Sequence, residues 1–198
     1  MFFDVDSSKI HNLAELVYYS YANLQMLNVA MSQGKEKYDR LCYMVRSKAF
    51  RSYKEGLWQM HDLFENNIAK MKNGNRCWYC GEEIPKTQLT IDHVIPRKKG
   101  GGNEMDNVIL VCKHCNFSKQ DTDLFEWFFC CRKQFPPVHI LQHYLKQIYQ
   151  FAKDNDLLMV QLEKLEFMSL PFNFKFIPTK YPQPKYFLDL EKKQGYRL

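Results

Sequence analysis

Apolar residues at Leu13, Leu16, Val17, Leu24 and Leu27 recur at spacings close to those of one helix face, predicting a helix over 9–32 that stops near Gly34. A second stripe (Tyr38, Leu41, Cys42, Val45, Ala49, Leu57, Met60, Phe64, Ile68 and Met71) predicts a longer helix from about Lys35 to Lys72, with Asn73-Gly74 as its C-cap. The two form a helical hairpin that must bury its stripe against something else. The pattern then changes. Short β-prone runs, Leu89-Thr90-Ile91 and Val108-Ile109-Leu110-Val111, flank a loop rich in Lys and Gly. Helical spacing returns after Cys115 and continues through Leu124, Phe125, Phe128 and Phe129 until Pro136-Pro137 interrupts it. Further helices are predicted over 138–153 and about 157–168. The last thirty or so residues interleave Pro171, Pro178, Pro182 and Pro184 with Phe172, Phe174, Phe176, Tyr181, Tyr186 and Phe187. They read as an extended segment packing over the body through its rings, or as a partner-binding tail.

Composition adds limits rather than a function. The chain of 198 residues is 45% hydrophobic and 25% charged, as in ordinary globular domains. Its net charge of +6 suits a polyanionic partner. That surplus is spread along the chain, with no basic tail. Arg46, Lys48, Arg51 and Lys54 do cluster in the second helix, where a solvated face is the first reading and phosphate contact the other. No run approaches a membrane span, and Met1-Phe2-Phe3 is followed at once by Asp4 and Asp6, unlike a secretion signal. A cytoplasmic protein is expected.

Four of the seven cysteines form two Cys-x-x-Cys pairs, Cys77/Cys80 and Cys112/Cys115. Two residues between thiolates allow a tight knuckle to aim both at one ion, and two knuckles complete the tetrahedral set of a closed structural Zn²⁺ site. Such a site has no open position for water, so it builds the fold and does not catalyse. Either pair alone could be a redox motif, but the two together favour zinc. Trp78 and Tyr79 are expected to cover the knuckle, and Cys42 to lie in the core. His139 and His143, four apart near Cys130 and Cys131, read as positions on an amphipathic helix before a second metal site.

The residues between the knuckles carry different chemistry. Asp92-His93 ends a β-prone run ahead of Pro96, and Asn116 follows the last cysteine at a helix start. A metal tying both ends together would let Asp92 and Asn116 approach. A carboxylate and an amide oxygen are hard ligands suited to Mg²⁺ or Mn²⁺. A neutral His93 beside them could take a proton from an attacking water. Arg97 and Lys119 are candidates for neighbouring phosphates.

These residues, in the order C-x-x-C … D-H-x-x-P-x-x-x-G-G … N-x-x-x-x-C-x-x-C-N-x-x-K, resemble the HNH or ββα-metal endonuclease family in its zinc-knuckle form. The resemblance implies His93 as general base, Asp92 and Asn116 as ligands of the catalytic metal, and Asn107 as the residue pinning the loop that orients the histidine. Gly100 to Gly102 would supply that loop's tight backbone. Asn116 stands where many members have His, which favours Mg²⁺ or Mn²⁺ over softer ions.

The expected fold is α+β and mostly α: a small ββα-metal core with a structural zinc, flanked by the N-terminal helical hairpin and C-terminal helices. The expected boundaries are 1–74, 75–135 and 136–198. The implied function is metal-dependent hydrolysis of DNA phosphodiester bonds, in restriction, phage defence or a mobile element. The flanking helices are candidates for contact with DNA, a protein partner or a second copy. A non-catalytic zinc module binding nucleic acid or protein is the alternative, and RNA a further candidate substrate.

Overall fold

The computed structural model describes residues 10–58 and 74–194. Apart from short 3-10 turns, its elements in chain order are α1 (Leu13–Ser32), α2 (Arg40–Lys54), β1 (Leu89–His93), β2 (Val108–Cys112) and α3 (Lys113–Lys119). They continue with α4 (Leu124–Glu126), which runs on as a π-helical turn over Trp127–Cys131, then α5 (Val138–Asp154), α6 (Leu162–Leu165) and α7 (Pro184–Gln194). The fold is α+β and mostly helical, with a two-stranded antiparallel sheet among the described residues.

Helix α1 starts at a reciprocal cap. Asn12 Oδ1 accepts from the Glu15 amide at 2.9 Å, and the Glu15 carboxylate accepts from the His11 amide at 2.8 Å. Both donors would otherwise be open at a helix start. The helix lies at the centre of the molecule, packed by α2, α5 and α7. Leu13, Val17, Tyr21, Leu24 and Leu27 are fully enclosed, and so are the polar Ser20 and Asn23. Asn23 is satisfied in burial by donating to Thr179 O at 3.0 Å and Tyr19 O at 3.1 Å.

Three sequence expectations change. Helix α2 ends at Lys54, because Gly56 takes a left-handed φ of 70° and the amides of Leu57 and Trp58 turn back to Ser52 O. The rest of that predicted helix, 59–72, and Asn73 of its cap lie outside the described residues. Of the predicted 157–168 helix, only Leu162–Leu165 forms. The backbone before it is engaged elsewhere, with Leu158 O and Val160 O accepting from the Ala14 and Leu13 amides at the start of α1. The C-terminal segment is not extended throughout. It ends in α7, where Pro184 occupies a first-turn position that suits its missing N–H.

The core is dense in rings. Tyr79 lies against Trp127 and Phe128 with centroids 5.1 and 5.9 Å away, Phe125 meets Tyr144 edge-on at 4.8 Å, and Phe135 meets Tyr181 and Phe187. Among them sits a fully enclosed carboxyl, Asp123. It accepts from the Tyr144 hydroxyl, from the Asn173 amide at 3.0 Å and from the Glu126 amide at 3.0 Å. Burial pushes its pKa up while these bonds pull it back. One side chain thus joins α4, α5 and the C-terminal segment. No helix among the described residues is long and apolar enough to cross a membrane.

Candidate active site and four-cysteine metal centre

Strands β1 and β2 pair antiparallel, with Leu89 opposite Cys112 and His93 opposite Val108. This register puts the end of β2 and the start of α3 beside the first knuckle. The knuckle is itself tied to β2 by the Trp78 amide donating to Leu110 O at 3.1 Å. The sulfurs of Cys77, Cys80, Cys112 and Cys115 all lie within 4.8 Å of one another. Cys80 and Cys112 Sγ are 3.9 Å apart, close to the ~3.8 Å edge of a tetrahedron built on Zn–S bonds of about 2.3 Å.

The thiols also interact with one another through hydrogen bonds. Hydrogen bonds from Cys115 and Cys80 hold the Cys77 thiol far below its ordinary value, while donating to Cys77 and Cys80 pushes Cys115 up. Thiols grouped this closely give up their protons to a bound divalent cation. The donor set fits zinc. Outside it, the Cys115 amide donates to Cys112 Sγ at 3.4 Å and Arg132 Nη1 to Cys115 Sγ at 3.4 Å.

Gly81 closes the first knuckle at a left-handed φ of 74°. A Cβ there would run into Gln194 at the end of α7, and Arg76 Nη1 bridges the two by donating to Gly81 O at 3.0 Å and Gln194 O at 3.3 Å. His139 and His143 pack against the first knuckle. They meet the Trp78 ring edge-on at 5.1 and 5.8 Å, and the His139 Nε2 contacts Trp78 O at 2.8 Å. Burial lowers His139 to about 4. Among the described residues, the four cysteines are the group of His, Cys, Asp and Glu that could hold a metal.

Asp92 lies near the end of β1, almost fully enclosed. Its Oδ2 accepts from the Tyr79 hydroxyl at 2.6 Å and pairs with Lys119 Nζ at 3.0 Å. Lys119, expected at a phosphate, is instead wholly buried, and Nζ also donates to His93 O at 2.9 Å. Position 119 is the last residue of α3, whose packing on β1 turns the side chain inward. Burial lowers the Lys119 pKa, and the Asp92 charge pulls it back up. Tyr79, expected as a cover for the knuckle, is pushed far up first by burial and then by Asp92.

Asn116 projects from α3 and donates through Nδ2 to Thr90 Oγ1 at 3.0 Å and Ile91 O at 3.1 Å. These contacts fix the amide and leave Oδ1 as its acceptor. Among the described residues no protein donor engages that oxygen or Asp92 Oδ1. A carboxylate oxygen and an amide oxygen are each hard donors of the kind Mg²⁺ and Mn²⁺ take.

The His93 Nε2 lies 2.8 Å from Asn103 Oδ1. With that oxygen as acceptor, the proton sits on Nε2 and the Nδ1 lone pair remains for other use. Asn103 lies in the loop whose shape depends on Asn107. The Asn107 side chain accepts from the Ile95 amide at 2.8 Å and donates to Ile95 O at 3.0 Å and Gly102 O at 2.8 Å. A Cβ at Gly101 would overlap Ile95 O, so the loop tolerates only glycine there. Arg97 stands exposed in the following 3-10 turn, whereas Lys98 pairs with Asp121 at 2.6 Å. Asn103 and Arg132 carried no assignment from sequence. Asn103 had a faint signal in its place after the three glycines, and Arg132 had none.

The family model for HNH endonucleases matches residues 77–122. The CRISPR-associated endonuclease Cas9 of Actinomyces naeslundii is 27% identical over 119 residues, covering 57% of this chain and 11% of that protein. Cas9 of Corynebacterium diphtheriae is 38% identical over 67 residues, covering 33% of this chain and 6% of the relative. An SPbeta prophage-derived protein of Bacillus subtilis, named for an HNH endonuclease, is 28% identical over 95 residues, or 41% of this chain and 40% of its own. The chain thus spans less than half the length of each of these relatives. No solved structure matches it. Knuckles, register and matched segment coincide, and residues 77–122 are an HNH endonuclease domain.

Proposed function

We propose that the chain is a metal-dependent endonuclease that hydrolyses DNA phosphodiester bonds, with His93 as general base and Asp92 and Asn116 as ligands of a catalytic Mg²⁺ or Mn²⁺. The observation that carries this reading is the 2.8 Å contact of His93 Nε2 with Asn103 Oδ1; an oxygen acceptor there would keep the proton on Nε2 and leave Nδ1 to act as the base. In the step proposed, Nδ1 takes a proton from water and the water oxygen attacks phosphorus. The bond to the 3′ oxygen breaks, and that oxygen leaves and is protonated. A bound divalent cation supplies Lewis-acid polarisation of the phosphoryl group and stabilises the leaving oxygen. Asp92 is held for its part by Tyr79 and Lys119, and Asn116 by Thr90 and Ile91. Asn107 shapes the loop, and Arg97 is the exposed cation placed to meet a neighbouring phosphate. Lys119 holds the base's own strand rather than the substrate.

In this reading residues 75–135 do the chemistry, and the flanking 1–74 and 136–198 govern what is cut. A cytoplasmic setting in phage defence, restriction or a mobile element accords with one prophage-derived and two CRISPR-associated relatives. The test is nicking of supercoiled plasmid with Mg²⁺ or Mn²⁺, beside His93→Ala. The variant is expected to lose about 10²- to 10⁴-fold in rate with its thermal transition unchanged. Equal nicking by both proteins sinks the mechanism, and cutting by neither favours a non-catalytic zinc module.

A further inference from the structure

Helix α2 carries Arg40, Arg46, Lys48, Arg51 and Lys54 and not one acidic residue. Cys42, Ala49, Ser52 and Tyr53 are buried on its inner side, which fixes the orientation of the helix. Arg40, Lys48 and Arg51 emerge exposed on the opposite side. At 1.5 Å per residue, these three span about 16 Å of rigid helix.

What sets them apart is their grouping on one helix face, while several other cations of the molecule are neutralised. Lys35 reaches Asp39 at 2.6 Å, Lys175 reaches Glu166 at 2.8 Å, and Lys185 reaches Glu36 at 3.3 Å. Even Lys54, on α2 itself, is bound to Glu15 at 2.5 Å. Arg40, Lys48 and Arg51 have no acid partner among the described residues. On a different flank of the helix, toward α1, the Arg46 guanidinium is steadied over the rings of Tyr19 and Tyr43, at 5.6 and 5.3 Å. A solvated face needs no such one-signed row, whereas a row of phosphates does.

We propose that this outer face of α2 binds the phosphate backbone of duplex DNA, outside the matched nuclease segment. The proposal rests on the reading of the chain as a DNA nuclease and adds a second, sequence-independent contact to it. Leu41 and Met44 stay 47% and 58% exposed among these cations, so an anionic phospholipid vesicle is the competing occupant, and vesicle binding lost in the triple variant with duplex binding unchanged overturns the proposal.

The test uses the full chain in a His93→Ala background, so that DNA is not consumed, and a 30-base-pair duplex (roughly the ~16 Å row several times over). Kd is measured across a salt series, with and without Arg40→Ala, Lys48→Ala and Arg51→Ala together. All three are exposed, and the thermal transition serves as the control for folding. Loss of three phosphate contacts should make the slope of log K against log salt shallower by about 2 to 3. An unchanged slope and affinity overturns the proposal, as does a parent protein that binds no duplex. A slope that falls while the protein with His93 intact fails to nick plasmid keeps the α2 surface and removes the nuclease. Nicking with an unchanged slope does the reverse.

Discussion

Residues 77–122 and the helical layer of α1, α5 and α7 are held together by different means. The helical layer is sealed by rings and aliphatic side chains, with Tyr144, Phe135 and Phe187 fully enclosed. The nuclease segment leaves Ile91 of β1, Met105 of the loop before β2 and Phe117 of α3 64%, 82% and 79% exposed. A two-stranded hairpin is marginal in water, so burial alone does not hold this segment. To the buried Tyr79, Val94, Ile95, Ile109 and Val111 it adds sulfur geometry and polar pins: the cysteine cluster, the Asn107 bridge and the Tyr79–Asp92–Lys119 contact. The difference teaches why a reactive site can be polar and open within a small fold. Order comes from cross-links, which leaves surface free for chemistry.

The hardest blow to this contrast is Cys112→Ser. We expect zinc content to fall from about one ion per chain to none. A structural zinc contributes on the order of 10 kcal/mol, so the segment should lose its order while most of the far-UV helical signal survives. Complete loss of helix together with the metal would break the contrast. Next in size is Asp123→Ala, which strands a hydroxyl and two amides in the helical layer. Stability should drop by about 3 kcal/mol in a denaturant titration, with zinc retained. A variant that also released zinc would show the two regions to be one unit.

The smallest effect concerns Glu191 on α7. Burial raises its pKa from 4.5 to about 7, and no partner takes its Oε2 among the described residues. The folded state therefore keeps a proton that the unfolded state gives up earlier. Stability contributed by the protonated group is full below about pH 4.5 and is lost as pH rises through about 7. Glu191→Gln should raise stability at pH 8 by about 1 kcal/mol or more and leave it nearly unchanged at pH 4. Equal shifts at both pH values would remove the assignment.

The nuclease segment was the more legible region in sequence. Its residues are fixed by coordination chemistry and tight turns, which tolerate few residue types at few spacings, so Cys77 to Cys115 announce themselves. The helical layer was readable as periodicity, yet α1 proved buried on several faces and α7 went unforeseen behind its prolines. Packing partners distant in sequence decide such features. Lys119 illustrates the same gap inside the site. A lysine in a basic loop-and-helix run reads as a surface charge, and only the packing of α3 on β1 turns it inward to Asp92. Asn103, four residues before Asn107, was hidden because nothing local says that its oxygen meets a ring ten residues back.

The seat of Gly81 against Gln194 bears on portability. The stretch recognisable as a nuclease ends near residue 122, but its first knuckle abuts a helix end more than seventy residues downstream, and His139 of α5 contacts Trp78 O. A recombinant graft cut at the recognisable borders would carry the candidate site residues and abandon the surfaces they rest on. The transferable part of this protein is a discontinuous set of segments, and any transplant has to take α5 and α7 along with it.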